Sequence, residues 1–121
     1  MRRILVVDDD PDMRESLARL LRGSYEVTTA ANAEEARRLL SLQRFDVVLL
    51  DVWMPDAIGT SVVRMLRASG NSVPVILVSA DPHVAARAEE WGAVAWVRKP
   101  YAGEELLEKI AACATPTGLV P

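Results

Sequence analysis

The chain has 121 residues, half of them apolar, which suffices for one domain with its own core. Its 14 basic residues are scattered among 17 acidic ones for a net charge of −3, without the basic run or stripe of a nucleic-acid binder. No apolar stretch approaches the roughly 20 residues of a membrane span, there is no signal-peptide layout, and the lone Cys113 excludes an internal disulfide or a cysteine-based metal cluster, so a cytoplasmic location is expected.

In chain order, the first element is "ILVV", residues 4–7, a short and mostly β-branched run that reads as an interior strand. Asp8, Asp9 and Asp10 follow at once. Three carboxylates held within about 5 Å of one another would repel by roughly 3 kcal/mol per pair at an effective dielectric of 20, so something must offset them. Asp10 precedes Pro11, the order of an N-cap and a first helical position, and is read as structural. Met13, Leu17, Leu20 and Leu21 then share one helical face.

"YEVTTA" is the most polar strand and is expected at a sheet edge, and the capping box Asn32 with Glu35 opens a helix whose apolar face is Ala36, Leu39 and Leu40. "DVVLL" leads into Asp51, followed by a helix carrying Val62, Met65 and Leu66. "VPVILV" leads into Ser79. His83, at the start of the fourth helix, is the only histidine and is read as solvated surface, while Trp91 is either a core anchor or an exposed contact. "AVAWV" precedes Lys99-Pro100, and Leu106, Leu107 and Ile110 mark a last helix with Cys113 on its apolar face as an inert thiol. Glu89, Glu90, Glu104, Glu105 and Glu108 read as solvated helix faces. Gly23, Gly70 and Gly92 fall where helices should stop. The alternation predicts an α/β domain, a five-stranded parallel sheet with helices on both faces. The tail "ATPTGLVP", residues 114–121, has no periodicity and reads as a flexible tail, linker stub or expression remnant.

In such sheets ligands bind beyond the carboxyl ends of the strands. Asp8 and Asp9 end the first strand, Asp51 the third, Ser79 the fourth and Lys99 the fifth, so these side chains should converge on one edge. Three carboxylates without histidine or cysteine suit a hard, oxygen-seeking cation such as Mg²⁺. That ion would neutralise Asp9 and Asp51 directly and Asp8 through a water, with Lys99 screening what remains.

The acidic pair Asp8-Asp9, "LLDVWMP" around Asp51, "VSA" at Ser79 and "KP" at Lys99-Pro100 together resemble the receiver domains of two-component response regulators, over residues 3–113. The resemblance implies a receiver domain at 1–113 with the doubly wound (βα)5 flavodoxin-like fold, strand order 2-1-3-4-5. It implies that Asp51 accepts a phosphoryl group from a sensor histidine kinase or histidine phosphotransfer protein, with Mg²⁺ held by Asp9, Asp51 and the backbone carbonyl of Trp53. Phosphorylation would switch the surface of the fourth helix, fifth strand and fifth helix, which could also carry a homodimer, with no direct nucleic-acid or membrane contact. It further implies a cis Lys99-Pro100 peptide.

The chemistry is consistent with that assignment, because a carboxylate is already anionic at neutral pH and needs no general base to act as a nucleophile. Lys99, Ser79 and backbone amides after Asp51 would stabilise the phosphoryl oxygens, so the domain would catalyse its own phosphorylation and dephosphorylation. Trp53 and Asp81, two residues after Asp51 and Ser79, flank the line of attack and should tune hydrolysis: the indole by excluding water, Asp81 less if it caps the fourth helix. Trp96 stands where the family has a Tyr or Phe switch partnered with the Thr that is Ser79 here, and Ala57 and Ile58 depart from the usual pair before Gly59. Two other classes fit the residues less well. A receiver-like binding module that is never phosphorylated would be expected to lose one of Asp9, Asp51 or Lys99, and an aspartyl phosphatase would carry a second Asp where Trp53 stands.

Overall fold

The computed structural model describes residues 2–54 and 59–114; Ala57, Ile58 and residues 115–121 of the tail lie outside the described residues. The apolar runs become β1 (Arg3–Val7), β2 (Glu26–Ala30), β3 (Val47–Leu50), β4 (Val75–Ser79) and β5 (Ala95–Arg98). The periodic segments between them become α1 (Pro11–Leu21), α2 (Ala33–Leu42), α3 (Thr60–Ala68), α4 (Val84–Trp91) and α5 (Gly103–Ala114). All strand pairs are parallel and the order is β2-β1-β3-β4-β5. The polar "EVTTA" strand is therefore an edge, as its composition predicts.

The central strands are buried on both faces, which is why they read as continuous apolar runs rather than alternating ones. Leu5, Val7, Val48, Leu50, Val75 and Leu77 pack on one side with Ala36 and Leu40 of α2, Val62, Val63 and Leu66 of α3, and Val84 and Ala88 of α4. Ile4, Val6, Val47, Leu49, Ile76, Val78 and Val97 pack on the other with Leu17 and Leu21 of α1 and Leu106 and Ile110 of α5. Truncating one of these buried leucines or isoleucines to Ala typically costs about 2–5 kcal/mol.

The local signals act as read. Asp10 is extended and its Oδ1 accepts from the Asp12 amide at 2.9 Å, capping α1, and Asn32 Oδ1 accepts from the Glu35 amide at 2.8 Å, capping α2. Gly92 ends α4 in the left-handed region at φ 76°, where a side chain would be strained. One packing expectation fails: Leu20 is 37% exposed, because the buried stripe of α1 is only Leu17, Ala18 and Leu21 wide. Cys113 is half-buried against the α1–α5 side of the core, and burial pushes its thiol pKa up, as suits an inert thiol. Trp91 packs partly buried against the other side. No helix among the described residues is long and apolar enough to cross a membrane.

Candidate functional site

The parallel topology brings the carboxyl ends of β1, β3, β4 and β5 side by side, and with them Asp8, Asp9, Asp51, Ser79 and Lys99. Asp8, Asp9 and Asp51 each offer a carboxylate oxygen within 4.8 Å of the others. Lys99 Nζ donates to Asp8 Oδ2 at 2.7 Å and lies 3.4 Å from Asp51 Oδ2. The Lys99 amide donates to the Ser79 carbonyl at 2.9 Å, so the end of β4 fixes where the lysine departs from β5, and the Lys99-Pro100 peptide is cis.

The three carboxylates differ in environment. Asp8 is 2% exposed, and both its oxygens are engaged, Oδ1 by the Asp10 amide at 3.0 Å and Oδ2 by Lys99. Asp9 is exposed, whereas Asp51 is 9% exposed at the end of β3. Burial raises the Asp51 pKa above the ordinary carboxylate value; Lys99 opposes this, the Asp8 charge adds to it, and the Ser79 hydroxyl and Trp53 amide favour the anion. Burial alone would lower the Lys99 pKa, but the hydrogen bond to Asp8 and the charges of Asp51 and Asp8 outweigh it, and the net shift is upward. The two directions are compatible: one ammonium is shared by two carboxylates, so the lysine is held charged while Asp51 is incompletely compensated.

Gly59 closes the loop behind Asp51, its amide donating to the Val52 carbonyl at 2.6 Å. A Cβ there would lie 2.7 Å from the Asp51 carbonyl oxygen, so only glycine allows this approach. Tyr101 lies beside Lys99 and Asp8 and its hydroxyl is 3.7 Å from Met13 Sδ; burial is the first cause of its raised pKa.

Asp81 occupies the end of β4 in a different way. Its Oδ1 accepts from the His83 amide at 2.8 Å in a turn just before α4; the N-cap of α4 is His83, with no side-chain hydrogen bond, so Asp81 does not cap the helix as the sequence suggested. Its Oδ2 accepts from the Trp53 indole Nε1 at 3.0 Å and from Arg87 Nε at 2.6 Å. Trp53 is thus drawn toward the start of α4. His83 is exposed, as expected. Trp96 points outward, 36% exposed, with Lys109 Nζ 5.1 Å from its ring centroid and donating to its carbonyl at 2.6 Å. Sequence reasoning overlooked Arg87, Arg14 (whose Nη1 donates to the Asp8 carbonyl at 2.7 Å) and Tyr101. Arg14 lies in the first turns of α1 beside the acidic run and was findable; Arg87, six residues beyond Asp81, matches no helical pairing and left no signal.

The family model of the response regulator receiver domain matches residues 4–111. Among curated relatives, response regulator MprA of Mycolicibacterium vanbaalenii is 42% identical over 113 residues, 91% of this chain but 49% of its own length. The chain thus spans about half the length of the curated relatives it matches. Among solved structures, response regulator TrrA of Thermotoga maritima, in complex with Mg²⁺-BeF, is 37% identical with a TM-score of 0.85, covering 93% of this chain and 99% of that one. The receiver domain of sensor histidine kinase PA1611 of Pseudomonas aeruginosa, with a magnesium ion coordinated in its active-site cleft, is 29% identical with a TM-score of 0.86, covering 95% and 98%. With strand order, acidic edge and sequence in agreement over nearly the whole domain, the chain belongs to the response regulator receiver family of two-component signalling.

Proposed function

We propose that Asp51 accepts a phosphoryl group from a sensor histidine kinase or histidine phosphotransfer protein in a Mg²⁺-dependent reaction, and that this switches the α4–β5–α5 surface. The observation that carries the proposal is the Asp8–Asp9–Asp51 cluster, all within 4.8 Å, with the Lys99 ammonium 3.4 Å from Asp51. This donor set fits a hard cation: oxygen ligands only, crowded enough that their repulsion favours one.

Asp9, Asp51 and the Trp53 carbonyl would hold Mg²⁺ directly. Asp8, with both oxygens engaged, suits an indirect contact through water. When bound, Mg²⁺ supplies charge neutralisation for the carboxylates and for the phosphoryl oxygens. An Asp51 carboxylate oxygen forms the new P–O bond while the P–N bond to the donor histidine breaks, and the imidazole nitrogen leaves with the electron pair. Lys99 is positioned to pair with a phosphoryl oxygen, and the buried Ser79 hydroxyl to donate to another. Hydrolysis of the acyl phosphate by water would return the unmodified domain, with Trp53 and Asp81 setting its rate.

Ser79 at the site and Trp96 on the outer face of β5 would form the switch, with the outward indole and its Lys109 contact marking the unphosphorylated arrangement. A cytoplasmic location, a receiver domain over residues 1–113 and a homodimer through α4–β5–α5 are consistent with this role. Incubation with acetyl phosphate and Mg²⁺ followed by intact-mass measurement tests the acceptor. The parent gains one phosphoryl group and Asp51→Asn gains none; stoichiometric labelling of Asp51→Asn overturns the assignment.

A further inference from the structure

The loops after β3 and β4 are tied together outside the acidic cluster. The Trp53 indole N–H donates to Asp81 Oδ2 at 3.0 Å, crossing from the loop that carries Asp51 to the loop that carries Ser79. Arg87 of α4 donates to the same oxygen at 2.6 Å, and its guanidinium carbon lies 5.0 Å from the Trp53 ring centroid and 5.9 Å from that of Trp91. The indole is therefore fixed twice, at its edge by a carboxylate and on its face by a cation. Such double fixing has a purpose to explain, because Trp53 is 52% exposed and packing alone does not hold it. Asp81, 8% exposed, anchors the arrangement: the Asp81 amide donates to Ser79 Oγ at 3.2 Å, linking the clamp to the hydroxyl at the site.

We infer that Arg87 is a positioning residue for the acceptor site: it clamps the Trp53 indole onto Asp81, so that the indole straps the gap between the β3 and β4 loops and limits the approach of water and small phosphodonors to Asp51. This rests on Asp51 being the acceptor. Arg87 touches neither substrate nor the reacting atoms, and acts through Trp53. Lysine at this position would keep a charge for Asp81 but lose the planar guanidinium that stacks on the rings, so Arg87→Lys is an intermediate case.

Two measurements test the clamp. The first needs no phosphodonor: hydrogen exchange of the Trp53 indole N–H, followed in ¹H–¹⁵N spectra and assigned with Trp53→Phe. Exchange should be about tenfold faster in Arg87→Ala and less so in Arg87→Lys; unchanged exchange in both overturns the clamp. The second is decay of the acetyl-phosphate-labelled protein after donor removal in excess Mg²⁺. Arg87→Ala should hydrolyse roughly three- to tenfold faster than the parent, and should add nothing in a Trp53→Asn background. A merely structural role for Arg87 would leave its effect intact in that background, and such additivity overturns the inference, as does unchanged decay in Arg87→Ala. A parent that takes no label overturns the Asp51 assignment and the access role with it, an outcome distinguishable because the exchange measurement still decides whether the clamp exists.

Discussion

Asp51 and Asp81 stand at neighbouring strand ends, both nearly buried, and their surroundings push them in opposite directions. Asp51 ends β3 with its pKa raised by burial and by the nearby Asp8 charge, against a lysine it shares. Asp81 follows β4 with its pKa lowered, chiefly by the His83 amide and, against its burial, by Arg87 and the Trp53 indole. The first carboxylate is left with unspent charge; the second is saturated with donors. That difference separates a carboxylate whose charge is left partly uncompensated from one whose acceptor capacity is used in holding structure.

The largest effect expected on this contrast comes from Lys99→Met, which leaves Asp8 and Asp51 facing each other without their shared ammonium. The loss at pH 7 should be about 3 kcal/mol, read as a shift in urea midpoint at unchanged slope. The deficit should shrink in acid, where the carboxylates protonate. A midpoint equal to the parent's would mean that solvent already screens the pair.

Asp81→Ala should lower Tm by less than Lys99→Met does, through loss of the α4 turn and of the indole and guanidinium contacts. Its pH dependence is the sharper reading. Because the folded pKa is depressed, Asp81 contributes stability that is present above the unfolded value near 3.9 and lost as pH falls through the folded one. The Tm difference between parent and variant should therefore close in acid. A difference that persists in acid would show that Asp81 acts through packing rather than charge.

Asp51→Asn should act with the opposite sign. The folded state holds the Asp51 proton where the unfolded chain has released it, so Asp51 costs stability as pH rises through that window. Removing the charge should raise stability at pH 7, read as a higher Tm, and the gain should vanish in acid. A lower Tm at pH 7 would mean that Lys99 compensates Asp51 more fully than burial penalises it. The smallest effect is that of Asp9→Asn, an exposed position, which should leave stability without Mg²⁺ within about 0.5 kcal/mol. If Mg²⁺ raises the Tm of the parent, Asp9→Asn should remove that rise, which would separate ion binding from folding.

Much of this was legible in the chain itself. The apolar runs fixed strand identity, "EVTTA" its place at an edge, Asp10-Pro11 and Asn32 the helix starts, and the polar residue ending each run the composition of the site, because these depend on periodicity, local backbone chemistry and the parallel topology they jointly require. What the order of residues could not express is which donors meet which acceptors across strand ends. The partition of Lys99 between Asp8 and Asp51, the Trp53 and Arg87 contacts to Asp81, and the outward pose of Trp96 were decided only when β3, β4, α4 and α5 came together. Those contacts join residues far apart in sequence or off any helical repeat, and their energies come from distances and desolvation that exist only in the folded chain.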